Sequence, residues 1–404
     1  MAWIGVAQEP MRVGVQAIEV MDDDGGRPAR VTAANVAEWI EFTNRSFAPA
    51  GIEFAFRGDE SDYCVLRNTV INDMTGGGEG WAETRKLANE VAAKYPDKLV
   101  IFLRHGPGPN ATGGGFSWTD LNFVGMFGWE DGSHCGHRHT DAVAHEIGHY
   151  LGLPHTFAVE PFENVGQAEA YFVAHGRDPQ VFDGDGFADT LPDPGCRPLE
   201  CERAEKITLD GVEFALPRRN LMSYYDERDT LSPEQIARVR WVLDLRMKHG
   251  MGMPANRPAG RMIEAETMTV LERRNCSEVV QPMDSFGLGN WSGGAQLFCG
   301  ADEGGSVTLA LPIEKTGRLR LYLYATQAPD FGIVQAYLDD GPLGRPFDAY
   351  APIVIASDRV TLGTVDLTEG QHRLRFEVIG KNAASSAFRF GVDCVAMVSP
   401  DGPG

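Results

Sequence analysis

The sequence predicts a mixed α/β domain followed by an all-β sandwich, and three observations carry that division. Up to residue 248, stretches with apolar residues at helical spacing alternate with short apolar strands, the pattern of a layered α/β fold. Residues 249–260, HGMGMPANRPAG, lack periodicity and are rich in Gly and Pro, which marks a linker. From residue 261 to 404 the period switches to two, and strands are separated by Gly-rich turns, as in a jelly-roll-like β-sandwich.

The elements follow in chain order. MRVGVQAIEV reads as a strand, and Val31–Ser46 as a helix whose Val36, Trp39 and Ile40, with Phe47 just beyond, form one apolar face. Ile52–Phe56 is a short strand, Trp81–Lys94 a second helix, and Lys98–Leu103 a buried strand bounded by turn signals. Two short strands follow, near Phe116–Trp118 and at Phe123–Phe127. Ser232–Met247 is a helix with Ser232 as N-cap and Pro233 in its first position. In the sandwich, Leu319, Leu321 and Leu323 face one way while Arg318, Arg320, Tyr322 and Tyr324 face the other. Leu374, Phe376 and Val378 repeat the alternation.

Composition narrows the class. Of 404 residues 43% are hydrophobic and 23% charged, enough to bury sizeable cores. No apolar run approaches the roughly 18 residues of a membrane span. A net charge of −21 argues against nucleic-acid or anionic-membrane partners. The first residues, MAWIGVAQEP, show no charged segment leading into an apolar core. A processed extracellular protein is the expectation, and an intracellular one the alternative. Seven cysteines leave at least one thiol unpaired within the chain. Cys196–Cys201 and Cys276–Cys299 are candidate pairs beside the alternative of free thiols. A monomer is expected.

The chemistry concentrates in HEIGHYLGLPHTF, residues 145–157. His145 and His149 are four apart, so both imidazoles lie on one helical face. Thr140 can cap this helix, and Asp141 suits its positive end. Gly152 permits a positive φ and Pro154 stops the helix, so His155 can swing back as a third ligand. Three imidazoles leave a fourth position of Zn²⁺ open, the pattern of a catalytic rather than a structural site. Glu146 beside the first ligand can take a proton from zinc-bound water and pass it to a leaving amine.

His145-Glu146-x-x-His149-x-x-Gly152-x-x-His155 resembles the signature of metzincin zinc endopeptidases. Asn220-Leu221-Met222-Ser223-Tyr224 resembles their Met-turn. The resemblance implies a metzincin catalytic domain over residues 1–248, with a twisted mixed sheet and a zinc-site helix. It implies Met222 as an apolar floor beneath the imidazoles and Tyr224 as a group reaching the metal or an oxyanion. Its implied activity is hydrolysis of protein or peptide substrates lying along an edge strand, here Phe116–Trp118. His155-Thr156-Phe157 and the Asp189–Pro194 segment resemble the pappalysin-like branch, with an extra Leu191; matrixins are the runner-up.

Weaker signals keep their alternatives. Asp183, Asp185, Asp189 and Thr190 suit Ca²⁺, which the resemblance also allows, or form an acidic solvated loop. His134, His137 and His139 form a second metal site or a polar loop. Asp226, Glu227 and Asp229 after the Met-turn suggest a wall favouring basic side chains. The sandwich resembles galactose-binding and carbohydrate-binding modules, with Trp291, Tyr322 and Tyr350 as candidate sugar-stacking rings. A competing function is therefore a weakly active or inactive protease homologue that binds glycans or a surface through its sandwich.

Overall fold

The computed structural model describes residues 10–106, 114–119, 121–127, 140–159, 161–195, 204–252, 260–283 and 286–399. The chain divides into two compact units, Met1–Gly252 and Met253–Gly404, a boundary inside the expected linker. No helix among the described residues is long and apolar enough to cross a membrane.

The first unit is built on a six-stranded mixed sheet. Its strands are β1 (Met11–Met21), β2 (Ile52–Ala55), β3 (Tyr63–Arg67), β4 (Lys98–Arg104), β5 (Gly114–Phe116) and β6 (Phe123–Phe127). The order is β2-β1-β4-β6-β5, and β3 pairs with the later half of β1. All pairings are parallel except β5, which runs antiparallel to β6 at the edge. Six of the seven residues of β4 are buried, as expected of a central parallel strand covered on both faces.

Helices α1 (Ala33–Phe47), α2 (Thr69–Asn72) and α3 (Trp81–Ala92) follow their strands, then α4 (Thr140–Tyr150), α5 (Val165–Ala174) and α6 (Pro233–Lys248). Helix α1 begins two residues later than the sequence predicts. Thr32 accepts the Asn35 N–H and Asn35 returns a bond to the Thr32 backbone, a capping box that fixes the start. Helix α6 is capped by Ser232 with Pro233 in its first turn, as expected. Val100, Phe102 and Phe123 form one core with Ile71, Val91 and Ala92 of α2, α3 and the turn after them. Helices α1 and α4 pack together, and α4 also meets β5 and β6.

A hairpin of β7 (Lys206–Leu209) and β8 (Val212–Ala215) also belongs to the first unit. The strand ladders of the sandwich-like second unit are all antiparallel: β9 (Arg261–Glu264), β10 (Val270–Pro282), β11 (Ala295–Ile313), β12 (Gly317–Gln327), β13 (Gly332–Leu338), β14 (Gly341–Asp348), β15 (Ile355–Ala356), β16 (Val360–Leu367), β17 (Gly370–Lys381) and β18 (Phe390–Val398), with β9 paired to β18. Leu321, Leu323, Leu374, Phe376 and Val378 fall in one buried core, as the period-two reading expects. Tyr322 and Tyr324 do occupy the opposite face, but both are buried there, clustered with their cross-strand neighbours Ala396 and Cys394.

Candidate metal centres

Helix α4 places the first two histidines. Val143, Ile147 and Tyr150 are fully buried on its inner face. Thr140 is already inside the helix rather than its cap, because the helical backbone starts there. Gly152 has φ +86, and Leu153 N–H donates to the Gly148 carbonyl, closing the helix end. A Cβ at Gly152 would lie 2.9 Å from Val242 of α6, so the turn that delivers His155 is also tightly packed.

The Nε2 atoms of the three histidines meet: 3.1 Å between His145 and His149, 3.0 Å between His149 and His155, and 3.2 Å between His155 and His145. Nδ1 of His145 lies 2.7 Å from the Leu221 carbonyl, and Nδ1 of His149 lies 2.7 Å from the Leu153 carbonyl. A ring N–H must sit at each of those Nδ1 atoms, so both Nε2 lone pairs face the common point. Burial holds the His145 imidazole well below its usual pKa and pushes His149 down to about 4, so both rings are neutral donors at pH 7. Three imidazoles converging in this way fit zinc.

Around them, Met222 is fully buried, and its Sδ would lie 2.5 Å from a Cβ at Gly148. Only glycine lets α4 rest on this methionine. The Tyr224 ring centroid is 4.8 Å from that of His155 and 5.6 Å from that of His145. Glu146 is buried, and burial raises its carboxyl pKa to about 8 against the opposing effects of Arg228 and the Ser117 backbone. Without a nearby cation this group therefore holds a proton at neutral pH, whereas the expected base is a carboxylate. Arg228 pairs with Asp141 at 2.8 Å and donates to the Ser223 carbonyl, tying the segment after Met222 to the first turn of α4.

Asp183, Asp185, Asp189 and Thr190 are held by hydrogen bonds. Asp183 accepts the Gly186 N–H, Asp185 accepts the Thr190 hydroxyl, and Asp189 accepts Ser232 Oγ and the Glu234 N–H at the start of α6. The acidic wall is largely neutralised, with Glu227 on Arg218 and Asp229 on Arg219. Trp291 is 7% exposed and donates Nε1–H to Thr326 at 2.8 Å, while Tyr322 is 6% exposed beneath Arg359. Neither offers a face to a sugar, and Tyr350 is half-buried. His134, His137, His139, Cys135, Cys196 and Cys201 lie outside the described residues. Cys276 and Cys299 sit as free thiols on paired strands, β11 and its neighbour β10 (Val270–Pro282).

A second ligand cluster went unread in the sequence. Glu264, Asp393 and Cys394 bring their ligand atoms within 4.8 Å of one another where β9 pairs with β18. Glu266 is adjacent: a Cβ at Gly293 would meet its Oε1 at 3.2 Å and Glu264 Oε1 at 3.9 Å. One oxygen each of Glu264 and Glu266 is buried without a hydrogen bond. Burial, with the Glu264 charge beside it, raises the Glu266 carboxyl pKa, and burial keeps the Cys394 thiol neutral. Carboxylates so placed suit a hard, oxygen-seeking cation such as Ca²⁺. The readable signals were an Asp inside an apolar strand, FGVDCVAMV, and the period-two Glu-Ala-Glu at 264–266.

No family profile and no curated protein matches the sequence. Similar solved structures include a Paenibacillus xanthan lyase, at 23% identity and TM-score 0.32, covering 35% of this chain. A family 35 carbohydrate-binding module from Paenibacillus barcinonensis is 16% identical at TM-score 0.26, covering 35% of this chain and 99% of its own. Another from Clostridium thermocellum is 17% identical at TM-score 0.24, covering 34% and 98%. This chain spans only 13% of the xanthan lyase. The endopeptidase expectation is corrected accordingly. The similar structures are glycan-active enzymes and carbohydrate-binding modules, not metallopeptidases, and peptide-bond hydrolysis is not carried forward for this chain.

Proposed function

We propose that this chain is a zinc-holding, glycan-recognising protein that works outside the cell. His145, His149 and His155 hold one zinc ion. The observation that carries this half is the mutual approach of their Nε2 atoms, all within 3.2 Å, with two ring N–H groups committed to carbonyls. Zinc held by three imidazoles keeps a position for water or another oxygen donor and lowers the pKa of water bound there. Glu146 supplies a carboxyl and Tyr224 a phenol beside the cluster, and Met222 excludes water from beneath it.

Residues 261–404 supply the glycan-recognising surface. The favouring observation is one region of the sandwich where Ala328 bridges to Tyr350 and Leu288 bridges to Ile355. Phe286 is 42% exposed there, and Tyr350 lies half-buried. Asn382 donates to Asp348 at 2.8 Å and Gln327 to the Tyr350 carbonyl at 3.2 Å. An exposed phenyl ring and a half-buried tyrosine, with amides and a carboxylate in the same region, match the mixed apolar and polar face of a sugar. A cation at Glu264, Glu266 and Asp393 stiffens the same unit.

Elemental analysis of wild type and His149→Ala, together with glycan-array screening of the full chain and of Phe286→Ala/Tyr350→Ala, tests both halves. Stoichiometric zinc in the wild type alone, and array signals weakened by the aromatic changes, are expected. Wild-type protein without zinc overturns the first half, and a silent array overturns the second.

A further inference from the structure

Asp193 is a carboxylate only 1% exposed, some forty residues from the third histidine and thirty from Tyr224 in sequence, and the functional reading above makes no use of it. Both of its oxygens are committed. Oδ2 accepts the Thr156 hydroxyl at 2.6 Å; Oδ1 accepts the Tyr225 hydroxyl at 2.8 Å and the Gly195 N–H at 2.9 Å. Thr156 immediately follows His155, and Tyr225 immediately follows Tyr224. We propose that Asp193 is the positioning residue of the zinc centre, one carboxylate that fixes the His155 and Tyr224 backbones against each other by gripping the residue after each.

The inference rests on the zinc reading, and the local packing supports it. His155 lies outside α4, so no helical ladder orients it. Its ring instead stacks on Phe157, with centroids 4.5 Å apart and planes 13° apart, and the Tyr224 ring lies 4.7 Å from Phe157. Thr156 N–H donates to the Met222 carbonyl at 3.2 Å, and the Thr156 carbonyl accepts the Gly184 N–H at 3.0 Å. The segment 155–157 is thus stitched to the Met222 turn by one backbone bond and by the Asp193 bridge. Asp193 is itself anchored, its N–H donating to the Phe182 carbonyl at 3.2 Å.

A buried carboxylate is tolerated only while its donors are in place, and removing it leaves two buried hydroxyls without their acceptor. Outer partners of this kind change metal affinity about 10- to 100-fold when lost. Asparagine keeps the shape and one acceptor oxygen. It can still serve Tyr225, but it must donate to the Thr156 oxygen instead of accepting from it.

The test measures zinc release to a chromogenic chelator, and the d–d absorption of the Co²⁺-substituted protein. Wild type, Asp193→Ala, Asp193→Asn, Thr156→Val and Tyr225→Phe are compared in the full chain, with circular dichroism as folding control. Zinc release about tenfold faster in Asp193→Ala, partial rescue in Asp193→Asn and a shifted cobalt spectrum are expected. Thr156→Val added to Asp193→Ala should cost nothing further, because the Thr156 hydroxyl bond is already lost with Asp193. A folded Asp193→Ala with wild-type release and spectrum overturns the inference. If that variant does not fold, unchanged release in both Thr156→Val and Tyr225→Phe overturns it instead. Absence of zinc from the wild type overturns the parent reading and this inference with it, whereas wild-type release from a zinc-loaded, folded Asp193→Ala overturns this inference alone.

Discussion

In the first unit three imidazoles bring their Nε2 atoms within 3.2 Å of one another, while in the sandwich Glu264, Asp393 and Cys394 gather ligand atoms within 4.8 Å beside Glu266. Burial acts on the two in opposite senses. It lowers the histidine pKa values and so keeps lone pairs free without creating charge. It raises the Glu266 carboxyl because ionised neighbours would repel in a poorly solvated place. Neutral ligands can therefore be held in position before a metal arrives, whereas clustered carboxylates depend on a proton or a cation for their stability. The histidine nitrogens are preorganised; the carboxylates are not, and a proton or a cation would relieve their repulsion.

The sharpest way to break the comparison is to remove one imidazole. Structural zinc sites contribute about 10–16 kcal/mol, so losing one of three ligands should cost roughly 4 kcal/mol, about a thousandfold in affinity. Competition titration of His145→Ala against a zinc indicator measures it, and a fall below tenfold would mean that the three rings do not act as one site. Next comes Trp291, whose following residues Ser292 and Gly293 line the carboxylate cluster. Trp291→Ala should destabilise the sandwich by about 3 kcal/mol through loss of buried ring area. Denaturant unfolding checks it, and loss of glycan binding at full stability would instead make this ring a ligand contact.

Calcium separates the clusters further. At a hundredfold excess over Kd it should stabilise the sandwich by about 2.7 kcal/mol, roughly 5–10 °C in its melting transition. Glu264→Gln/Glu266→Gln should abolish that response while sparing zinc binding. A calcium shift that survives the double change would place the cation elsewhere.

The smallest effect is the pH dependence of the zinc-free protein. His149 has a folded pKa of about 4 against 6.5 unfolded, so the unfolded chain binds more protons between those values. Stability from this group is complete above pH 6.5 and is lost as pH falls towards 4. Glu146 is raised from 4.5 to about 8, so its contribution runs the other way, complete below 4.5 and lost as pH rises to 8. His145 is shifted in the same sense as His149, so the two histidines outweigh Glu146 and stability rises with pH up to 6.5; from 6.5 to 8 only the Glu146 decline remains, and Glu146→Gln removes it. Melting curves of zinc-free protein across this range decide it. An unchanged slope in the variant would assign the titration to another group.

The histidine site was legible because its signals are local. Four-residue spacing, a glycine with positive φ and a proline all act within one turn of chain, and Met222 shares a short motif with Tyr224. The capping box at Thr32 and the strand Tyr63–Arg67 were less visible. The first competes with an adjoining valine for the helix start, and the second has only half-buried or exposed residues and hence no clear period. The carboxylate cluster joins residues about 130 apart through the pairing of β9 with β18, and nothing in either segment announces the other. Asp193 lies inside the Asp189–Pro194 segment that carries the branch resemblance, yet nothing local marks it as the partner of Thr156 and Tyr225. Tyr322 lies on a period-two strand and Trp291 just before a 3-10 turn; both are buried, because packing and not sequence pattern decides whether a ring is open.

Gly115 on the edge strand β5 has a wider consequence. A Cβ there would come within 2.7 Å of both Glu146 Cγ and Met126 Sδ. The rim over the buried carboxyl is therefore bare main chain, with no side chain at its centre. Whatever approaches from that direction is met by peptide groups of fixed spacing, which measure shape and cannot be retuned by a change of residue. Changes in what fits there must come from other side chains around the cluster, while position 115 has no room for one.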